Sequence, residues 1–135
     1  MQADFLDAHT RHWVDAESLM QAQRWANADH LYGIAAECGL KGLMLVFGMP
    51  YDTARNQPGD SKDRVHANGI WTRFQSYSNG RIGYTLPAND PFSDWHVSDR
   101  YANQSDFDMA RATRHQAGAQ LVCNLIKYAE QQGHI

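Results

Sequence analysis

The stretch ADHLYGIAAECGLKGLM, residues 28–44, carries the reading on which the fold rests. Leu31, Ile34, Ala35, Cys38, Gly42, Leu45 and Val46 return at steps of three and four, so one stripe of a helix is apolar. Gly33, Ala35, Ala36, Gly39 and Gly42 are small, and small side chains let a second helix come close. Asn27 is a fitting N-cap, a start one or two residues earlier satisfies the same signals, and Gly48 with Pro50 ends the run. The pattern predicts a helix at the centre of a bundle.

Working outward, residues 4–23 place Phe5, Trp13, Ala16, Leu19 and Met20, with His9 between them, on one amphipathic face. Residues 51–60 hold two Asp, a Pro and a Gly without periodicity and read as a loop. A third helix is predicted over 61–77 from Val65, Ile70, Trp71, Phe74 and Tyr77, closed by Asn79 and Gly80. Residues 79–104 are punctuated by Gly, Pro and Asn. Their aromatics, Tyr84, Phe92, Trp95 and Tyr101, predict an ordered loop packed on the bundle, with room for a short hairpin at 81–85. Ser105, with Asp108 three positions on, fits a capping box that opens a last helix through Met109, Ala112, Ala119, Val122, Leu125 and Ile126 to Gly133. No repeat and no convincing strand run is present. The expected fold is all-α: one domain over 1–135, an antiparallel up-and-down bundle of four main helices with one long ordered loop before the last.

Composition supports one globular domain. The 135 residues are 43% apolar and 20% charged, outside the disordered and disulfide-scaffold classes. A formal charge of −3 excludes a surface that is basic all over, so a contact with nucleic acid has to come from a local patch or a partner. Cys38 and Cys123 lie within apolar helical patterns and read as buried thiols rather than a disulfide. The longest nearly apolar run, 42–49, is far too short to span a membrane. The opening MQADFLDAHTRHW places acids where a signal peptide would be basic and then apolar. A cytoplasmic protein is the expectation.

The run at 28–44, with Glu37, Cys38, Leu40 and Lys41 in an ECxLK segment, resembles the second helix of HEPN domains (higher eukaryote and prokaryote nucleotide-binding) in their small bacterial branch. RVHANGIWTRF (64–74) is similar to the His-bearing third helix of that family, and DRYAN (99–103) to an Arg-Tyr element before its final helix. The resemblance covers nearly the whole chain in order. It implies a symmetric homodimer, RNA or a nucleotide as target, and a role in a toxin–antitoxin, defence or regulatory module, often with a nucleotidyltransferase partner. It further implies, in ribonuclease members, an Arg followed by a His after about four to six residues: the guanidinium stabilises charge on a phosphate and the imidazole moves a proton. Here Arg24 and His30 satisfy that spacing at the start of the second helix, not late in the bundle, and Arg111 to His115 is one residue short. With nine Arg and seven His, about one such pair arises by chance, so the motif is expected to be missing or displaced.

The individual residues admit two uses each. Glu37 and Lys41 suit a helical ion pair, or a polar notch where Lys41 meets a phosphate and Glu37 holds Arg100. Residues 94–101 concentrate Asp94, Trp95, His96, Asp99, Arg100 and Tyr101. Arg100 fits a structural pair with Glu37 or Asp94 as well as it fits a phosphate, and Trp95 and Tyr101 fit core packing or base stacking. Arg64, His66 and Arg73 make either a phosphate strip or a solvated helix face. Arg111, Arg114 and His115 lie early in the last helix, where cations oppose the dipole, so an external anion or an acidic neighbour is expected there. The candidate catalytic set is Arg100, His96 and His66. The candidate RNA or nucleotide contacts are Lys41, Arg64, Arg100, Tyr101, Arg111 and Arg114, with Glu37 and Asp94 as a supporting polar network. His9, His12 and Asp15 lack a completing ligand pair, so no metal is expected, and no cofactor is implied. No nucleophile elbow or Gly-rich phosphate loop is present, which removes the serine-hydrolase and NTPase classes. The competing expectation is a catalytically silent module that binds a partner protein.

Overall fold

A computed structural model describes residues 1–135. Four helices carry the fold: α1 (Phe5–Gln21), α2 (Trp25–Val46), α3 (Ala67–Ser78) and α4 (Met109–Gln131). This is the all-α bundle with a long loop before its last helix. Three residues join α1 to α2, which makes them antiparallel neighbours. The only sheet is β1 (Tyr51–Asp52) paired antiparallel with β2 (Gln57–Pro58), Tyr51 opposite Pro58. No helix is long and apolar enough to cross a membrane.

α2 packs against α1, α3 and α4, and its small residues are the reason it can. A Cβ on Gly39 would stand 2.5 Å from Val122 of α4, and one on Gly42 would stand 2.6 Å from Leu6 of α1. A Cβ on Gly33 would meet the Trp95 indole at 2.2 Å. The core is therefore built by large side chains from the neighbours reaching onto a slim central rod: Trp71, Trp95, Tyr84, Phe74 and Phe92 are fully buried beside Tyr32, Leu40 and Leu43 of α2. Burying each such side chain contributes about 1.5–3 kcal/mol.

The long loop is fastened from both sides. Trp71 Nε1 of α3 donates to Pro87 O at 2.8 Å, and Gly118 of α4 leaves room for Pro91 and Phe92. Its later part winds into two short 3-10 helices, Val97–Tyr101 and Gln104–Asp106.

Several element ends differ from the sequence expectation, each for a local reason. α2 starts at Trp25, ahead of the predicted Asn27 cap, because its first turn faces an open cavity instead of the core and so falls outside the apolar stripe. Gln23, at φ 59°, turns the chain from α1 into it. α3 starts at Ala67: Ser61–Asp63 forms only a 3-10 turn, since the buried Asp63 carboxylate binds Arg73 at 2.6 Å and Tyr77 at 2.7 Å and holds the chain back. α4 opens at Met109 with Asp108 itself as cap, accepting from Arg111 N at 2.8 Å, while Ser105 belongs to the preceding 3-10 turn. Residues 81–85 form no hairpin; the Tyr84 ring is anchored between Phe47 and Tyr128 instead.

Candidate functional site

Of the nine arginines, seven are engaged within the chain. Arg11 and Arg55 pair with nearby acids, Arg64 donates to the Pro58 and Gly59 carbonyls, and Arg81 donates to Tyr77 O. Arg73, Arg111 and Arg114 bind carboxylates. Arg24 and Arg100 have no internal acceptor, and both line one cavity of about 420 Å³. It lies between the first turn of α2 and the 3-10 segments of the long loop, and His30 forms part of its wall.

The electrostatics of this cavity favour an anion. α1 and α4 are capped by Asp4 and Asp108, whereas α2, like α3, has no side-chain cap and no acid in its first turn, and Arg24 stands at its cap position. Unsatisfied amides and the positive end of the helix dipole are thus left facing the cavity, beside two guanidiniums. The Arg100 guanidinium rests 4.8 Å over the Tyr101 ring, and Tyr101 is 78% exposed. His30 stacks on Trp95 at 5.0 Å with its Nδ1 buried and unpartnered. Burial pushes the His30 pKa down, and the Arg100 charge adds to that, so at neutral pH the ring is a neutral proton acceptor.

Behind the cavity a network rooted in the buried Asp29 and His115 fixes the loop to the bundle. His115, fully buried on α4, has Nδ1 2.6 Å from Asp29 Oδ1 of α2 and Nε2 2.9 Å from Asp94 Oδ1 of the loop. Arg111 donates to Asp29 at 3.3 Å, to Asp94 at 3.2 Å and to Asp99 Oδ2 at 3.1 Å. Arg114 clasps both Asp94 oxygens at 3.1 and 3.0 Å. The Arg114 hydrogen bonds, followed by His115 and the Arg111 charge, hold the Asp94 carboxyl well below the usual carboxylate range. Asp99 Oδ2 also accepts from His96 N at 2.9 Å. The loop segment that carries Arg100 is thereby held in place.

The residues singled out from sequence divide accordingly. Arg100 lines the cavity and pairs with neither Glu37 nor Asp94. Trp95 is core, and Tyr101 is exposed. Arg111 and Arg114 have acidic neighbours and are not free for an external polyanion. Lys41 is buried on Glu37 at 2.7 Å, so the helical ion pair holds and no open notch exposes its ammonium. His66 Nδ1 lies 3.2 Å from the other Glu37 oxygen, and His96 Nδ1 lies 3.2 Å from Asn68 Nδ2. These two histidines sit beside the start of α3 and do not line the cavity with Arg100. Arg64 and Arg73 are engaged separately, so no phosphate strip runs along α3. His9 is spent on the Ala35 carbonyl at 2.8 Å, and no group of three or more His, Cys, Asp or Glu is placed to hold a metal ion.

Sequence reasoning missed Asp29, named Asp99 in the polar segment without giving it a role, and set the Arg24 and His30 pair aside. Asp29 as the first acid of α2, flanked by Ala28 and His30, was the available sign. Comparison with protein-family models, with curated proteins and with solved structures found no match to this chain.

Proposed function

We propose that this is a HEPN-like, RNA-directed protein that holds a backbone phosphate between Arg24 and Arg100. The observation that carries the reading is that the two arginines without an internal acceptor converge on one cavity, at a helix N-terminus with no acidic cap. The resemblance of residues 28–44 to a family directed at RNA supports the choice of ligand, and His30 stands in the same cavity as Arg24.

The same residues suit cleavage by transphosphorylation. Neutral His30 takes the proton of a ribose 2′-hydroxyl as its oxygen attacks the adjacent phosphorus. Arg24 and Arg100 offset the charge that grows on the phosphoryl oxygens, the bond to the 5′ oxygen breaks, and that oxygen takes a proton from water. The products are a 2′,3′-cyclic phosphate and a 5′-hydroxyl.

The test is binding and cleavage of a single-stranded oligoribonucleotide in EDTA across a salt series. Binding that weakens with salt, and by about tenfold or more in Arg24→Ala and Arg100→Ala, supports the reading. Unchanged affinity in both variants refutes it. The cleavage rate should rise with pH through an inflection below 6.5, and Arg100→Ala should move that inflection upward, because the Arg100 charge lowers the His30 pKa.

A second reading, an interaction module, is favoured by a separate surface. Val46, at 42% exposure, and Ile82, at 92%, line a cavity at the far end of α2, roughly 33 Å away for a helix of this length. A second copy or a nucleotidyltransferase-type partner would cover it, and light scattering together with Ile82→Asp separates a homodimer from a monomer.

A further inference from the structure

The cavity contains a feature that a site for a bare anion would not have. Asp99 lines it next to Arg100. One carboxylate oxygen, Oδ2, is used by His96 N and by Arg111 Nη2. The other, Oδ1, receives no donor from the chain, and the side chain retains 22% of its exposure. A carboxylate repels a phosphate, so its free oxygen beside two guanidiniums suits a ligand that brings a hydrogen-bond donor within a few ångströms of its negative charge. Ribose supplies that combination: in RNA each 2′-hydroxyl lies next to the 3′-phosphate, and it is a donor that DNA lacks.

We propose that, in the bound ground state, Asp99 Oδ1 accepts the 2′-hydroxyl of the nucleotide whose phosphate sits between Arg24 and Arg100, and that this hydroxyl turns its single proton to His30 only as it attacks, so that Asp99 makes the cavity selective for RNA over DNA. The proposal rests on the phosphate-binding reading above and adds its specificity. Asp99 is well prepared for the part, since Arg111, itself braced on Asp29 and Asp94, holds the carboxylate at a fixed height in the wall. The ligand then completes the set of partners of a carboxylate that the fold satisfies on one side only. Asn27 and Gln104 on the same wall offer amides to a base edge, but they do not distinguish the two sugars.

The experiment compares the affinity of the full chain for one sequence as RNA, as 2′-O-methyl RNA and as DNA, for wild type and Asp99→Asn. The Asn oxygen can still accept from His96 N and Arg111, which leaves an amide nitrogen where Oδ1 was. Wild type should favour RNA over both analogues by about tenfold, the worth of one hydrogen bond to a charged acceptor. In Asp99→Asn that preference should fall toward unity, chiefly through lost RNA affinity, while DNA binds as well as before or better because the repulsion is gone. A thermal midpoint for Asp99→Asn within a few degrees of wild type shows that the loop has kept its place. Equal wild-type affinity for the three oligonucleotides, or an undiminished preference in Asp99→Asn, overturns the sugar-recognition proposal while leaving phosphate binding intact. Absence of binding to any of the three overturns both.

Discussion

Gly33→Ala tests the contact that brings the long loop onto the central helix. An added Cβ would lie 2.2 Å from Trp95 Nε1, 2.3 Å from Cε2 and 2.7 Å from Cδ1, more than an ångström inside an ordinary carbon contact. The indole cannot step aside into solvent, because Trp95 is fully buried and stacked on His30. Overpacking of this kind costs about 1–3 kcal/mol, and the slightly better helix propensity of Ala offsets up to about 1 kcal/mol of it. The net expectation is about 1–2 kcal/mol, or a thermal midpoint lowered by roughly 3–8 °C for a domain of this size. Circular dichroism melts measure that shift. Near-ultraviolet dichroism, sensitive to the Trp95 environment, should change in the native state as the ring and the loop move outward. The double variant Gly33→Ala with Trp95→Leu should show a clear coupling, the glycine substitution costing less once the indole is gone. A Gly33→Ala protein with an unchanged melt and unchanged aromatic dichroism would refute the packing of residues 94–101 against α2.

Asp29→Ala removes the buried partner of both His115 and Arg111 and should destabilise by about 3–5 kcal/mol, read by chemical denaturation. Asp94, held low first by Arg114, contributes stability that is full above the ordinary Asp pKa of about 3.9 and is lost as pH falls through it toward the depressed folded value. Melts between pH 6 and 3 should therefore show a smaller acid-induced drop in Arg114→Ala than in wild type. Burial pushes the Cys38 thiol up to about 12 and the Cys123 thiol up to about 11, so at pH 8 both should react slowly with a thiol reagent and at the free-thiol rate once denatured.

The helical architecture was legible because it is a property of spacing. The small-residue stripe of α2, and the aromatic content of the loop, announce a slim rod coated by large neighbours before any coordinate is known. Helix ends were less legible, since Asp63 and Asp108 act through hydrogen bonds whose partners the periodicity does not name. The site was legible only in part. Arg100 stood out as a fork amid a rich polar loop, yet whether it binds an acid depends on which acids lie near it, and Glu37 and Asp94 turned out to be taken by Lys41, His66, Arg111, Arg114 and His115.

Local order, then, follows from the chain's own rhythm of large, small and polar residues, because a helix is stabilised by neighbours three and four positions away. Which arginines are left without a partner is a matter of distances between residues as far apart in sequence as Asp29 and His115, or Arg24 and Arg100. Those distances exist only once the helices have packed, and so the cavity at the start of α2 is a product of tertiary structure alone.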